Sequence, residues 1–190
     1  MRQRHACKLS LKDQRLEMEP AIFQQLSEQN QQLVSMYEEQ IRVVEQLIEQ
    51  TIYEDPELKK NDQLAQSVKG IGPITSAFLI AYTHNFERFE NARQFACYSG
   101  IAPFPNRSGV TLKGKTKVSP IANKQIKAIL SNGANSAIVF DKELKLYYQR
   151  KRAEGKAYGT VINAVKNKLV QRVFAVIKRQ TPFVPMMNYA

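Results

Sequence analysis

Residues 21–53, AIFQQLSEQNQQLVSMYEEQIRVVEQLIEQTIY, contain neither glycine nor proline, and no other property restricts the fold of this chain more tightly. Without a breaker, a Gln- and Glu-rich run of this length propagates as one long helix. Ile22, Leu26, Leu33, Tyr37, Ile41, Val44 and Ile48 recur at spacings of three, four and seven, which gathers them into one apolar stripe. The stripe is narrow and the other faces are polar, a pattern that fits packing against a second helix in a coiled coil. A surface helix lying on its own domain carries the same pattern, so the periodicity alone leaves both open. The expected partner is a second copy of the chain, paired through the helix at 21–53. Pro56, in YEDPELKKND, ends the helix, and residues 53–62 read as a linker. The expected organisation is a helical arm over 1–62 followed by a domain over 63–190.

Charge divides along the same boundary. Residues 1–62 hold 8 Lys/Arg against 12 Asp/Glu, a net of −4, whereas residues 63–190 hold 20 against 5, a net of +15. Between Asn91 and Phe140 there are seven basic residues and no acid. Positive potential concentrated in this way fits a phosphate backbone as partner. No apolar run reaches the roughly 18 residues a membrane-spanning helix needs, and the first twenty residues show no secretory h-region. The two cysteines, Cys7 and Cys97, form no disulfide framework, and His5 and His84 are too scattered for a zinc site. The expected setting is the cytoplasm, at the nucleoid, with no membrane partner.

The domain reads as mainly α. Leu64 and Val68 end a short helix, Gly70-Ile71-Gly72-Pro73 makes a tight turn, and Thr75–Ala81 restarts as an apolar helix, the pattern of a helix-hairpin-helix near 64–81. Such a turn brings backbone N–H groups close to a phosphate and points the positive end of the second helix at it, so Gly70, Gly72 and Thr75 are candidate nucleic-acid contacts. An ordinary turn with a glycine cap is the rival reading. Asn91 is the expected N-cap of the next helix. PFPNRSGVTLKGKTKVSP (103–120) follows, with a short hairpin expected within 104–118. It clusters Arg107, Lys113, Lys115 and Lys117 around Ser108 and Gly109. A helix over 119–140 is expected, capped by Ser119 with Pro120 at its first position. Ile121, Ile126, Ile129 and Leu130 face inward and Lys124 and Lys127 outward. Another amphipathic helix ends at Gly155. The last helix buries Val161, Ala164, Val165, Leu169, Val173 and Val176.

The order of GIGPITSAFLIAYTHNFERFENARQFACYSGIAPFPNRSG, KGKTKVSPIANKQIKAIL and YYQRKRAEGKAYGTVINAVKNKLVQRVFAVIKRQ resembles the C-terminal domain of transposases of the insertion sequence 110/116/902 family, which includes a pilin-gene DNA invertase. The resemblance spans residues 64–180 and rests on several motifs in sequence. It implies a serine that attacks a DNA phosphodiester and becomes covalently joined to it, in an active site completed by an N-terminal RuvC-like domain whose four acidic residues bind divalent metal. Some members also use a structured guide RNA, which joins DNA among the implied partners. The family serine follows the SGIAP element, and here that step is Ser108-Gly109. A serine hydroxyl is a poor nucleophile at neutral pH and needs neighbouring cations or a base. Arg107, Lys113, Lys115, Lys117 and Lys124 are placed to contact phosphates, and Gly109 leaves room for the backbone. Ser119 is the alternative nucleophile, although its place before Pro120 suits a cap; Ser99 suits a cap or packing role.

The sequence also departs from that family pattern. Glu87, Glu90, Asp141, Glu143 and Glu154 are the acids after residue 62, and they are scattered. The expectation is a chain with no cofactor of its own, with Mg²⁺ entering only through a RuvC-like domain supplied from elsewhere, and a chain that alone does not recombine DNA. A non-catalytic helix-hairpin-helix module binding DNA or RNA through the backbone is the alternative function; a protein-interaction domain is a third.

Overall fold

The structure, a computed structural model, describes residues 19–108, 112–118 and 122–185, with side chains for 19–103 and 122–185. It is mainly helical. Two compact units form, residues 1–51 and 52–190. In the first, helix α1 (Pro20–Glu54) runs unbroken through the glycine- and proline-free stretch. Ile22, Leu26, Leu33, Val44 and Ile48 of its stripe are exposed, while Tyr37 and Ile41 are half-buried.

The second unit opens with a correction. Residues 53–62 are not a linker, for Pro56 starts a helix instead of ending order. Helix α2 (Pro56–Gln66) has Asp55 as its N-cap, accepting from the backbone N–H of Glu57 at 2.8 Å and of Leu58 at 3.1 Å, with Pro56 at the first helical position. Proline is tolerated there because that N–H has no helical partner in any case. Asn61, Asp62, Leu64 and Ala65 are buried, so this helix belongs to the core. Asn61 donates to Asn85 Oδ1 at 2.9 Å and accepts from Gln180 Nε2 at 3.1 Å, tying the start of the unit to its last helix.

Helix α3 (Pro73–Thr83) and the short α4 (Ala92–Tyr98) follow. Asn91 caps α4 by accepting from Gln94 N at 3.0 Å, and buried Ser99 closes it by donating to Phe95 O at 2.8 Å. Strands β1 (Pro103–Ser108) and β2 (Leu112–Val118) pair antiparallel, with an irregularity between Phe104 and Asn106. Helix α5 (Lys124–Phe140) begins later than the sequence suggested. Its cap is Asn123, which accepts from Gln125 N and Ile126 N, since an amide oxygen there satisfies the first-turn donors. Ser119, Pro120 and Ile121 lie outside the described residues. Helices α6 (Lys142–Ala153) and α7 (Tyr158–Arg179) complete the unit.

The core gathers around α7, whose Val161, Val165, Leu169, Val173 and Val176 are buried as the periodicity required, whereas Ala164, expected in the same stripe, is only half-buried. Phe174 of α7 meets Phe86 and Phe95 with ring centroids 5.5 and 5.6 Å apart, anchoring α4 and the turn before it. Phe183, beyond α7, lies under the Arg172 guanidinium, and its N–H donates to Ser67 Oγ at 2.8 Å.

Candidate nucleic-acid interface

The turn between α2 and α3 is built from its buried residues outward. Val68 and Ile71 fill the core, and Ile71 N donates to Val68 O at 2.9 Å, which closes the turn. Gly70, between them, has φ +99°, a conformation that residues with a Cβ rarely adopt. A Cβ there would also lie 2.6 Å from Gly133 O and 2.7 Å from Ala137 Cβ. Gly70 is therefore the point at which the turn meets α5. Gly72 differs: its φ is −95°, and nothing lies within 4 Å of where a Cβ would stand. It is exposed, as are Pro73 and the neighbouring Lys69, a cation the sequence reading passed over although it precedes Gly70 directly. No side chain caps α3, and Thr75 is half-buried in its first turn.

The second group of candidates lies on the hairpin. Arg107 pairs in register with Lys113, Ser108 with Leu112, Asn106 with Gly114 and Phe104 with Lys117. Lys113, Lys115 and Lys117 occupy alternate positions of β2. Ser108 is the last residue of β1; Gly109 lies outside the described residues. The ladder thus brings Arg107 and Ser108 of one strand opposite Lys113 and Leu112 of the other.

Lys124 is exposed at the start of α5. Tyr82, near the end of α3, donates to Gln125 Oε1 at 2.6 Å, whereas the turn before α3 touches Gly133 and Ala137. Helices α3 and α5 therefore run in opposite senses. Lys124 is about 14 Å along α5 from Gly133, at 1.5 Å per residue. The structure does not bring Lys124 together with Gly70 and Gly72: they stand at opposite ends of this helix pair. Lys124 instead shares its end of α5 with the chain leaving the hairpin.

Beside the root of the hairpin is a cleft of about 970 Å³ that sequence reasoning did not find. Ile101 and Pro103 form one wall, and Lys127, Lys166 and Lys168 reach it from α5 and α7. Lys166 is only 7% exposed. Burial pushes its ammonium below the ordinary value of 10.5, and the like charge of Lys127 pushes the same way. The unfolded chain thus holds this proton more tightly. The charge weakens the fold at neutral pH, and that loss shrinks as pH climbs from the folded pKa toward 10.5. Position 166 is a charged residue outside the apolar stripe of α7, so sequence carried no signal for its burial.

Among the described residues, no group of three or more His, Cys, Asp or Glu side chains could hold a metal ion. The described residues therefore offer no such cluster for a divalent metal. No helix among them is long and apolar enough to cross a membrane.

Residues 62–149 match the sequence model of the Transposase IS116/IS110/IS902 family. Over that span the chain is similar to this transposase family. The matched span runs from the end of α2 through the turn, α3, α4 and the hairpin into α6, so the transposase match includes Gly70, Gly72, Ser108 and Lys124. Lys166 and Lys168 lie beyond it. A pilin gene-inverting protein of Moraxella lacunata is 26% identical over 130 residues, 67% of this chain and 40% of that relative. An insertion element IS110 protein of 43.6 kDa from Streptomyces coelicolor is 27% identical over 115 residues, 60% of this chain and 28% of its own length. An insertion element IS900 protein of 42 kDa from Mycobacterium paratuberculosis is 26% identical over 132 residues, 69% of this chain and 33% of its own length. The chain spans less than half the length of each of these curated relatives.

Proposed function

We propose that this chain is the DNA-binding C-terminal part of an insertion-sequence transposase or site-specific recombinase, with Ser108 as its nucleophile. The observation that carries the reading is the hairpin inside the family-matched span: it sets Ser108 at the end of β1, with Arg107 paired in register to Lys113. Serine Oγ forms a bond to a DNA phosphorus while a bond from that phosphorus to a deoxyribose oxygen breaks. The serine loses its proton, and the departing sugar hydroxyl gains one. Negative charge builds on the phosphoryl oxygens, where Arg107 and the lysines at 113, 115 and 117 act on it electrostatically. Gly109 leaves space for the DNA backbone. Lys124, beside the hairpin, adds a phosphate contact. Metal chemistry, with Mg²⁺, belongs in this reading to a RuvC-like domain supplied by a further segment or partner. A structured guide RNA is a second nucleic-acid partner consistent with the same cationic surface.

The test pairs the purified chain with element-end DNA. Alone it gives no strand-transfer product; with a protein supplying the RuvC-like domain, a covalent protein–DNA adduct forms, and Ser108→Ala removes it. An adduct that survives Ser108→Ala rejects the nucleophile, and robust cleavage by the chain alone rejects the division of labour.

A second reading, a non-catalytic helix-hairpin-helix module, is favoured by the turn before α3. Gly72 is open, Lys69 is exposed, and the helix end behind them has no side-chain cap, an arrangement suited to a backbone phosphate. Under that reading, Lys113→Ala and Lys115→Ala weaken binding while Ser108→Ala is silent in every assay.

A further inference from the structure

We infer that the cleft between α5, α6 and α7 is a binding site for a phosphodiester group of a nucleic-acid strand, held by Lys127, Lys166 and Lys168. The inference rests on the nucleic-acid reading above and adds a subsite that is separate from the hairpin.

Three observations converge. Among the described residues no aspartate or glutamate lines the cleft, which has three lysines together with Thr160, Asn163 and Asn167, one turn apart on α7. Lys166 is buried among the apolar residues of α7, yet among the described residues no carboxylate pairs with it. A cation in that position is costly unless an anion meets it, and the charge that acts on it, Lys127, is of the same sign. Lys168 is held with its ammonium 4.8 Å from the centre of the Tyr147 ring, so a second charge is fixed at the rim.

The chemistry of the lining selects the ligand. Three ammonium groups around an open cleft suit a compact anion approached from several sides, whereas a planar carboxylate is matched by a guanidinium fork, and among the described residues no arginine lines this cleft. The cleft also continues into the hairpin root through Ile101 and Pro103, and Lys124 lies one turn before Lys127 on α5. A strand in contact with the hairpin therefore has a cationic path into the cleft. Ser108 is five residues beyond Pro103 on β1, about 17 Å at 3.3 Å per residue. The phosphate held in the cleft is thus not the one attacked, and these lysines position the strand.

The test compares the full chain with Lys166→Met, measuring fluorescence anisotropy with a DNA duplex and an RNA hairpin across a salt series, alongside thermal melts with and without inorganic phosphate. Lys166→Met is expected to raise the Tm of the free chain, because it removes an uncompensated cation. It should weaken nucleic-acid binding about tenfold and lower the salt slope by about one. Lys59→Met, at an exposed lysine stacked on Tyr53, should change neither reading. A lysine with a purely structural role would lower the Tm and leave the slope alone. The DNA and RNA arms identify which strand occupies the site. If Lys166→Met does not fold, the Lys127→Met/Lys168→Met double variant carries the same readout. Unchanged affinity and slope in a folded variant overturn the cleft while leaving the function above intact. A wild-type chain that binds neither nucleic acid at low salt overturns both. Stabilisation by inorganic phosphate without nucleic-acid binding overturns the inference in favour of a free-anion site.

Discussion

Gly70 and Gly72 are two residues apart in GIGP and answer to different constraints. Gly70 combines a left-handed backbone with a contact in which any Cβ meets Gly133 O at 2.6 Å. Gly70→Ala therefore adds backbone strain to overpacking and should cost roughly 2–4 kcal/mol. Gly72→Ala meets no atom within 4 Å at an ordinary φ, so stability should stay within about 0.5 kcal/mol of the parent. Urea denaturation of the two variants checks the pair, and equal losses would reject this division. The sequence could not separate them, because a glycine required by a neighbouring helix and one open to solvent are the same letter. Lys166 was hidden for the opposite reason. A lysine between buried valines reads as a side chain turned to water, and only the packing of α5 and α6 against α7 shows that it is enclosed.

At the scale of elements, helix signals were legible wherever they were local. Asn91 caps α4 and Ser99 closes it, and the α7 stripe is buried at Val161, Val165, Leu169, Val173 and Val176. The errors fell where one residue type has two uses. Pro56 stops a helix or starts one, and Asp55 before it decides for a start. Asp141 shows the same economy at a junction. It follows the last residue of α5, caps α6 by accepting from Leu144 N at 2.9 Å, and accepts from Arg172 of α7 at 2.9 Å while 4% exposed. Arg172 also reaches Glu143 at 2.7 Å. Loss of a cap and of a buried charged partner together should make Asp141→Ala cost roughly 2–4 kcal/mol. Asp141→Asn keeps an acceptor for the cap and should lose about half as much. Denaturation midpoints for both, with Glu143→Gln as a half-buried comparison on the same Arg172, check this; an Asn variant as damaged as the Ala variant would mean that the charge, not the cap, dominates.

At the scale of the whole molecule, the unit formed by residues 1–51 presents a different problem from the cationic domain. Its stripe leaves Ile22 49% and Val44 52% exposed, with Leu26, Leu33 and Ile48 also in solvent. Fully burying a large aliphatic side chain contributes roughly 1.5–3 kcal/mol. These five are about half exposed, so pairing two copies would gain about 8–15 kcal/mol gross. Association costs roughly 4–15 kcal/mol. The two nearly balance, which argues for a dimer that assembles and parts with concentration rather than a permanent one. Pairing of this kind would place two cationic domains in one particle. Sedimentation velocity over a wide concentration range should show a monomer–dimer equilibrium. Leu33→Glu with Val44→Glu should hold the chain monomeric at every concentration, because like charges then face each other across the seam. The thermal transition of residues 52–185 should be unchanged, since none of their core is altered. A wild-type chain that stays monomeric throughout would reject pairing through α1. The exposed stripe would then have to be covered by a partner of different sequence.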